Sequence, residues 1–205
     1  VGSLARTDEN FHPYHHFEPA YVQDAAYHQG IVWTWLNGPW ITAAVQFGKS
    51  DLAYTVTDNM VHQILDRGAV GTLSELLDAA PRPGELEPRL SGTFSQAWSL
   101  AEFLRTTYRS YCGISFDARE RHVSISPRLP SALPHVRCTI PLGRERIRVE
   151  LRAQPEGGVV RLNTEDCLGP VQFALNFPVN GTQTRSCFFE LQPGHDVTVT
   201  LTAEG

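Results

Sequence analysis

The spacing of hydrophobic residues changes character near Gly113, about half way along the chain. Before this point, apolar residues recur every three or four positions, which is the period of an amphipathic helix. After it, apolar and polar residues alternate in short runs separated by glycine, proline and asparagine, which is typical of β-strands and their turns. The pattern therefore predicts a helical half followed by a β half.

Three helices are predicted in the first half. The first begins at Gly38-Pro39, because proline at a first helical position costs no hydrogen bond, and it runs to Gln46. The second begins at Ser50, whose side chain can cap the first turn, and ends at Gly68. The third occupies residues 95–111. The predicted buried face of the second helix comprises Leu52, Val56, Met60, Ile64 and Leu65.

Seven strands are predicted in the second half. They cover residues 123–126, 136–140, 147–151, 159–162, 171–177, 187–191 and 197–201. No helical pattern lies between them, so the economical arrangement is an antiparallel β-sandwich. Asn180-Gly181-Thr182 fits a tight hairpin turn and also matches a glycosylation acceptor, and we favour the turn. The sequence thus predicts an α+β chain of two domains, residues 1–112 and 113–205.

Composition excludes several classes of protein. Of the 205 residues, 41% are hydrophobic and 19% are charged, so the chain can bury a real core and is neither disordered nor fibrous. The formal charge is −5 and Lys49 is the single lysine, which argues against a nucleic-acid partner. The longest apolar stretch, Ile31–Trp40, is interrupted by polar residues and is too short for a membrane helix. We therefore expect no membrane partner.

The cysteines bear on the cellular compartment. There are four of them and no Cys-x-x-Cys pair, which argues against a zinc knuckle or a dense disulfide framework. The first residues show no charged start followed by an apolar stretch, so no secretion signal is expected. Free thiols in a cytoplasmic protein are the favoured interpretation. The four positions are Cys112, Cys138, Cys167 and Cys187.

Residues 26–40 form the densest cluster of candidate chemistry. They contain three tryptophans together with His28, Gln29 and glycines that allow the backbone to approach a ligand closely. Aromatic rings stack on the C–H faces of a sugar, while imidazole and amide groups bind its hydroxyls. The segment is therefore a candidate sugar site, and the competing interpretation is a packed core.

Two further segments place polar residues in apolar surroundings. Glu75 lies within residues 71–78, where burial of its carboxylate is costly unless it is hydrogen-bonded or needed for proton transfer. The alternative is a capping carboxylate at the N-terminus of a helix. In residues 92–99, Gln96 and Trp98 lie where a helix begins, and alone they indicate a cap and a buried ring.

Taken in this order, the three segments resemble the C-terminal part of prokaryotic glycogen-debranching enzymes of the amylo-α-1,6-glucosidase family. The resemblance covers most of residues 20–112. Thr34 stands where the family commonly has proline, and Ile31 stands where threonine is frequent. The matching motifs are Tyr27-His28-Gln29-Gly30-x-Val32-Trp33-x-Trp35-Leu36-x-Gly38-Pro39, Gly71-Thr72-Leu73-Ser74-Glu75-Leu76-Leu77-Asp78 and Ser95-Gln96-Ala97-Trp98-Ser99.

Members of that family fold as an (α/α)6 barrel and hydrolyse an α-1,6-linked glucose at a branch stub with inversion, using two carboxylates. The resemblance implies that Glu75 is the general base, which activates water. Trp35 and Trp40 are expected to pack between helices. The residues that the resemblance places around the terminal glucose are His28, Gln29, Trp33, Gln96 and Trp98.

The general acid of the family, an aspartate on an earlier barrel loop, has no matching motif here. Glu18 and Asp24 precede the first motif, but their surroundings differ from the acid motif. A complete barrel has twelve helices, and residues 1–112 have room for only the last few. We therefore expect the acid on upstream sequence, and we expect exposed helix faces to contact the remainder of the barrel or a second copy of the chain.

Ile125-Ser126-Pro127-Arg128-Leu129-Pro130 weakly resembles the small β domain appended to helical-barrel glycosidases, for which we expect a structural role. The leading hypothesis is a glycoside hydrolase segment that acts on glycogen, limit dextrin or another α-glucan, with no cofactor and no metal. Two alternatives stay open. One is a noncatalytic carbohydrate-binding or assembly module, and the other is a related α-glucosidase of another linkage.

Overall fold

A computed structural model describes residues 1–15, 25–154, 157–179 and 183–202, and it shows a mixed α+β chain. The three predicted helices are confirmed: α1 spans Asn37–Gln46, α2 spans Ser50–Asp66 and α3 spans Ala97–Arg105. A π-helical turn, Thr106–Tyr111, continues α3 to the end of the third predicted helix. Within the described ranges, no helix is long and apolar enough to cross a membrane.

The buried face of α2 differs from the predicted one. Met60 is fully buried, but Leu52 and Leu65 are 50% and 57% exposed, so the prediction was wrong for these two leucines. At about 100° per residue, Leu65 lies roughly 140° from Met60 around the helix, and the two cannot face the same side. The other buried residues of α2 are Ala53, Thr57 and Gln63.

The structure divides into two compact units. One contains Val1–Ala43 and Thr55–Arg105, and the other contains Ala44–Tyr54 and Thr106–Gly205. The first unit holds α3 and most of α1 and α2, whereas the second holds the π-helical turn and the strands that follow it. The expected domain boundary between residues 112 and 113 stays a prediction.

A small antiparallel sheet in the first unit was not predicted. It consists of β1 (Val32–Trp33), β2 (Leu76–Leu77) and β3 (Leu90–Ser91). The strands pair in the order β1-β2-β3, with Trp33 opposite Leu76 and Leu76 opposite Ser91. Each strand has only two residues, so alternation of apolar and polar positions gives no signal at this length.

Within the described residues, the second unit contains eight strands, and they include all seven that alternation predicted. The strand that was not predicted is β4, which begins directly after Gly113. The hairpin predicted at Asn180-Gly181-Thr182 lies outside the described residues. The strands are β4 (Ile114–Asp117), β5 (His122–Ile125), β6 (His135–Leu142), β7 (Glu145–Gln154), β8 (Gly157–Asn163), β9 (Val171–Val179), β10 (Gln183–Leu191) and β11 (Asp196–Thr202).

These strands form two four-stranded sheets, ordered β10-β9-β5-β4 and β11-β8-β7-β6. Neighbouring strands are antiparallel except for β5 and β9, which run parallel with His122 opposite Gln172. The expectation of purely antiparallel pairing was therefore wrong for this pair. A parallel pair needs a long crossover, and here the connection from β5 to β9 contains the three strands β6, β7 and β8 of the other sheet.

One hydrophobic cluster contains buried residues from both four-stranded sheets. Val123 and Phe173 come from the first sheet, and Ile147 and Leu162 come from the second. Along β7 the residues from Ile147 to Leu151 alternate between buried and more exposed positions, so every second side chain enters the core. Burial of these aliphatic side chains is the main contribution to the stability of this unit.

Arg121 connects the β4–β5 turn to the β6–β7 hairpin. Its Nη1 and Nη2 donate to Glu145 Oε1 and Oε2 at 2.8 and 2.7 Å, and its Nε donates to the carbonyl of Pro170 at 2.8 Å. The backbone amide of Leu168 also donates to Glu145 Oε2, at 2.7 Å. The guanidinium and this amide lower the pKa of Glu145 from its ordinary 4.5 to about 2, because both favour the ionised carboxylate.

Glu145→Gln should lower the stability of the strand-containing unit at pH 7 by about 1–2 kcal/mol, after allowance for screening by solvent. The contribution of Glu145 is present above pH 4.5 and is lost as the pH falls through about 2, because the folded-state pKa is the lower one. Thermal unfolding between pH 7 and pH 2 should therefore be less acid-sensitive in the variant. Glu165→Gln, at an exposed position, is the control, and equal acid sensitivity of all three proteins would contradict the prediction.

Candidate functional site

The small sheet brings the three sequence motifs together at Glu75. The backbone amide of Glu75 donates to the carbonyl of Thr93 at 2.8 Å, and the amide of Thr34 donates to the carbonyl of Glu75 at 3.3 Å. These two bonds extend the ladder of β1, β2 and β3 by one step. Glu75 thus lies directly before β2, between a residue of the first motif and the segment that leads into the third.

The carboxylate of Glu75 accepts three hydrogen bonds. The hydroxyl of Tyr27 donates to Oε1 at 3.1 Å, and Thr93 donates to Oε2 with its backbone amide at 3.0 Å and its hydroxyl at 3.3 Å. Because the residues after Glu75 form strand β2, the alternative that this carboxylate caps a helix is wrong. The carboxylate is held on both oxygens by groups far away in sequence.

Gly92 permits the close approach of the carboxylate. Its φ is +68°, in the left-handed region that favours glycine, and a Cβ at this position would lie 2.7 Å from Glu75 Oε2. The same Cβ would lie 3.0 Å from the Cβ of Glu75. A side chain at residue 92 would therefore push the Glu75 carboxylate away from Thr93.

Tyr27, which donates to this carboxylate, belongs to a cluster of four aromatic rings together with His28, Trp33 and Trp98. The ring of Tyr27 meets the rings of His28 and Trp33 edge to face, with centroids 4.9 and 4.7 Å apart. His28 and Trp33 are nearly parallel, with an interplanar angle of 6° and centroids 5.8 Å apart. Trp98 meets Trp33 at 6.4 Å and is 47% exposed. The rings form one continuous aromatic cluster with an exposed side.

Trp33 is fixed within that cluster by its polar end. Its indole Nε1 donates to the carbonyl of Tyr27 at 2.8 Å, so both faces of the indole stay available for ring contacts. Trp35 also contacts Trp98, with centroids 5.6 Å apart, and Trp40 is half-buried on α1. The expectation that Trp35 and Trp40 pack between helices stays a prediction.

The two glutamines of the predicted site are placed by their backbones. The carbonyl of Gln29 accepts from the amide of His12 at 2.7 Å, while its side chain is exposed next to His28. The amide of Gln96 donates to the carbonyl of Leu73 at 2.8 Å, two residues before Glu75. The structure thus brings both residues to the segments that hold Glu75. Their predicted contacts with a sugar stay predictions.

The buried hydroxyl of Thr34 joins all three motifs. It donates to the carbonyl of Ser74 at 2.5 Å and lies 2.6 Å from the hydroxyl of Ser99 on α3. Thr34 and Ser99 are 0% exposed, so these bonds are shielded from water. Through Thr34, helix α3, which carries Trp98, is therefore connected to Ser74, the residue that precedes Glu75.

A second carboxylate of the same motif has a different role. Asp78 is 1% exposed, and its Oδ1 accepts from the backbone amide of His15 at 2.8 Å. Its Oδ2 accepts from Arg82 Nε at 2.8 Å, and Arg82 Nη2 donates to the carbonyl of His15 at 2.7 Å. Because one oxygen accepts from the His15 amide and the other pairs with Arg82, Asp78 stabilises the loop that contains His15.

Two residues of the site were missed by the sequence analysis. Tyr27 begins the first motif and directly precedes His28, so its position was a signal that we did not use. Thr93 has no such signal, because only the pairing of β2 with β3 brings it to Glu75. The two carboxylates considered for the acid, Glu18 and Asp24, lie outside the described residues.

A model of the amylo-alpha-1,6-glucosidase family matches residues 1–105, just over half of the 205 residues. The chain belongs to this family. The match contains every residue of the site described above and agrees with the resemblance seen in the three motifs. The amylo-alpha-1,6-glucosidase family places the chain among proteins related to glycoside hydrolases.

No curated protein matches the chain significantly. Among the described residues, no three or more histidine, cysteine, aspartate or glutamate side chains are grouped so that they could hold a metal ion. The functional groups that the site does offer are a fixed carboxylate, a phenol, an imidazole and indole rings.

Gly92→Ala should destabilise the first unit by about 2 kcal/mol or more, because the new methyl group collides with Glu75 in addition to straining the left-handed backbone. Gly71→Ala is the matched control, since Gly71 has a φ of +85° but a Cβ there would meet nothing within 4 Å. The control should cost only about 1 kcal/mol. Urea unfolding measures both, and equal losses would contradict the close approach of Gly92 to the carboxylate.

Proposed function

We propose that this chain carries the base side of the active site of an inverting α-1,6-glucosidase, which removes glucose from branch stubs of glycogen or limit dextrin. The observation that supports the proposal is the fixed carboxylate of Glu75 beside an aromatic cluster with an exposed side. Membership of the amylo-alpha-1,6-glucosidase family supports the proposed linkage and substrate class.

Glu75 is the proposed general base. A carboxylate has about four acceptor positions, two on each oxygen. Among the described residues, Thr93 occupies both positions of Oε2 and Tyr27 occupies one position of Oε1. The remaining position of Oε1 is the one that we propose for a water molecule. The base would remove a proton from that water as its oxygen attacks the anomeric carbon, and the fixed carboxylate would keep the water in line for attack.

The aromatic cluster is the proposed subsite for the terminal glucose. Trp98 and His28 are its exposed members, and Trp33 lies between them. Indole faces favour the C–H surfaces of a sugar ring, while the imidazole of His28 and the exposed amide of Gln29 provide hydrogen bonds for its hydroxyls. Gln96 completes the set that we propose for substrate binding.

The general acid of the proposed reaction comes from outside the described residues. An inverting enzyme holds its acid roughly 6.5–9.5 Å from the base, so that water fits on the far face of the sugar. Asp78 is unsuited to this role because both of its oxygens are already engaged, Oδ1 by the backbone amide of His15 and Oδ2 by Arg82 Nε. Glu18, Asp24 and an aspartate on upstream sequence are the candidates.

We infer that residues 1–112 form the last helices of an (α/α)6 barrel and that residues 113–205 form a β-sandwich with a structural role. Exposed apolar side chains support the first inference, since Leu65 and Leu104 are 57% and 54% exposed on α2 and α3. Such faces favour contact with further helices, either the remainder of the barrel or a second copy. The proposal needs no cofactor or metal and is compatible with a cytoplasmic enzyme.

A noncatalytic carbohydrate-binding or assembly module is the second candidate. The exposed aromatic rings support it as well, because sugar binding needs the aromatic cluster but not a paired acid. Hydrolysis of another α-glucosidic linkage is the third candidate, and its site would use the same base. Glucose release and binding measurements separate the three candidates.

Glu75→Gln should lower the rate of glucose release from a phosphorylase limit dextrin by about a hundredfold or more, in whichever assembly of the chain is active. Binding of an α-1,6-glucoside should stay within about threefold, because the substitution keeps the shape of the side chain. Release by the chain alone and by its oligomers, separated by sedimentation, shows whether a second copy completes the site.

The control for this experiment is Glu9→Gln, which changes an exposed glutamate. It should leave both release and binding unchanged. If Glu75→Gln still released glucose at the parent rate, Glu75 would not be the general base. Glucoside binding with no release in any assembly would favour the noncatalytic module, and release from an α-1,4-glucoside but not from the α-1,6-glucoside would favour the other linkage.

Trp33→Ala should weaken glucoside binding by about 1 kcal/mol, or roughly fivefold in Kd, if its indole stacks on the sugar. Titration calorimetry measures the affinity, and thermal unfolding measures stability on the same sample. Trp40→Ala is the matched control, with a loss of stability and an unchanged affinity expected. An unchanged affinity in Trp33→Ala would contradict stacking on the sugar and would assign Trp33 a packing role only.

A further inference from the structure

One face of the β11-β8-β7-β6 sheet displays charged side chains. On β7 every second side chain enters the core, so Arg148 and Glu150 project from the opposite face. The same alternation on β8 brings Arg161 and Asn163 to that face, because Leu162 between them is buried. The face of this sheet that points away from the core is therefore rich in groups that donate or accept hydrogen bonds.

A cavity of about 360 Å³ lies on this face, and its volume is within the range of small-molecule sites. We call it the sheet cavity. Two rows of directly opposed polar side chains line it, and each row crosses from strand to strand. The first row comprises Arg137, Glu150 and Arg161, and the second comprises Arg148, Asn163 and Asp196.

Ion pairs hold two arginines of the sheet cavity in place. Arg161 donates from Nε and Nη2 to Asp196 Oδ1 and Oδ2 at 2.8 and 2.6 Å. Arg148 donates from Nη1 to Glu165 Oε2 at 3.0 Å and from Nη2 to Asp166 Oδ2 at 2.8 Å. Arginine side chains are long, and fixing them before a ligand arrives reduces the entropy that binding costs.

The carboxylate of Glu150 adds an acceptor to the first row. Arg152 donates to its Oε1 from Nε at 2.9 Å and from Nη2 at 2.6 Å, and His135 Nε2 lies 2.8 Å from the same oxygen. Arg137 Nη2 also donates to this oxygen, at 3.4 Å. Among the described residues, every hydrogen bond to Glu150 reaches Oε1. Its Oε2 is therefore an acceptor that a ligand hydroxyl can use.

The charges around the sheet cavity are balanced. Apart from the imidazole of His135, the side chains that line it and their ion-pair partners contain as many guanidinium groups as carboxylates. An ion therefore gains little net attraction, whereas a neutral molecule with many hydroxyls can both donate and accept. The cations are Arg137, Arg148, Arg152 and Arg161, and the carboxylates are Glu150, Glu165, Asp166 and Asp196.

We propose that the sheet cavity is a second binding site for α-glucan, which holds a linear α-1,4-linked part of the polymer. The class of sugar rests on the proposed function, while the mixed donors and acceptors favour a polyhydroxyl ligand by themselves. Neighbouring hydroxyls of a glucose unit can accept from Arg148 or Arg161 and donate to Glu150. Polymer held here raises the effective concentration of branch stubs for the site around Glu75.

The test compares two sugars on the full chain by titration calorimetry. One is maltoheptaose, a linear α-1,4-linked glucan, and the other is the α-1,6-glucoside used for the proposed active site. The double variant Arg161→Gln/Asp196→Asn removes one ion pair of the sheet cavity and keeps the net charge. It should raise the Kd for maltoheptaose at least about fivefold, because fixed donors and acceptors are lost. The Kd for the α-1,6-glucoside should stay within about twofold.

The matched control is Arg119→Gln/Glu120→Gln, which changes two exposed residues of opposite charge in the β4–β5 turn. It should leave both Kd values within about twofold of the parent chain. A second readout needs no variant to fold. Maltoheptaose should shift the Nε–H signals of Arg148 and Arg161 in the NMR spectrum of the parent chain, whereas the α-1,6-glucoside should not.

Three results would overturn the second glucan site. They are a maltoheptaose affinity that the double variant leaves unchanged, arginine signals of the parent chain that maltoheptaose does not shift, and binding of inorganic phosphate at the sheet cavity in place of maltoheptaose. The last result would favour an anion site. Failure of the proposed active site is read separately, because it appears as an α-1,6-glucoside affinity that Trp33→Ala leaves unchanged.

Discussion

The buried hydroxyl of Thr34 is the interaction on which the rest of the site depends. It contacts the carbonyl of Ser74 and the hydroxyl of Ser99, so one side chain holds the segments that carry Glu75 and Trp98. A proline at this position would have neither this hydroxyl nor the amide hydrogen that Thr34 donates to the carbonyl of Glu75. This chain therefore fixes its site with polar contacts that a proline cannot make, and their burial makes each of them costly to lose.

From that fixed point the site separates two kinds of environment. On one side, backbone and hydroxyl donors from Tyr27 and Thr93 hold a charged carboxylate. On the other side, aromatic faces offer an apolar surface for a ligand. Glycosidic cleavage with inversion needs this separation, since a water molecule must be bound and oriented beside a sugar ring without occupying the place of the ring.

Local patterns in the sequence predicted the elements well and their pairing poorly. Alternation identified strands such as β7 and β8, because every second residue from Ile147 to Leu151 enters the core. The parallel pair of β5 and β9 was missed, since alternation says nothing about which strand lies next to which. The same limit applies to the site: Glu75 was found from its motif, but Thr93 joins it only through the register of two-residue strands.

The parallel pair of β5 and β9 also determines how the strand-containing unit can fold. His122 and Gln172 are 50 positions apart, whereas Leu142 and Glu145 begin a hairpin with only two residues between them. Closing the longer loop costs more chain entropy. The contacts between β5 and β9 that offset this cost can form only after strands β6–β8 have folded into the other sheet. The two hairpin contacts of β7 can therefore form early, while the centre of the other sheet is assembled last and sets the contact order of this unit.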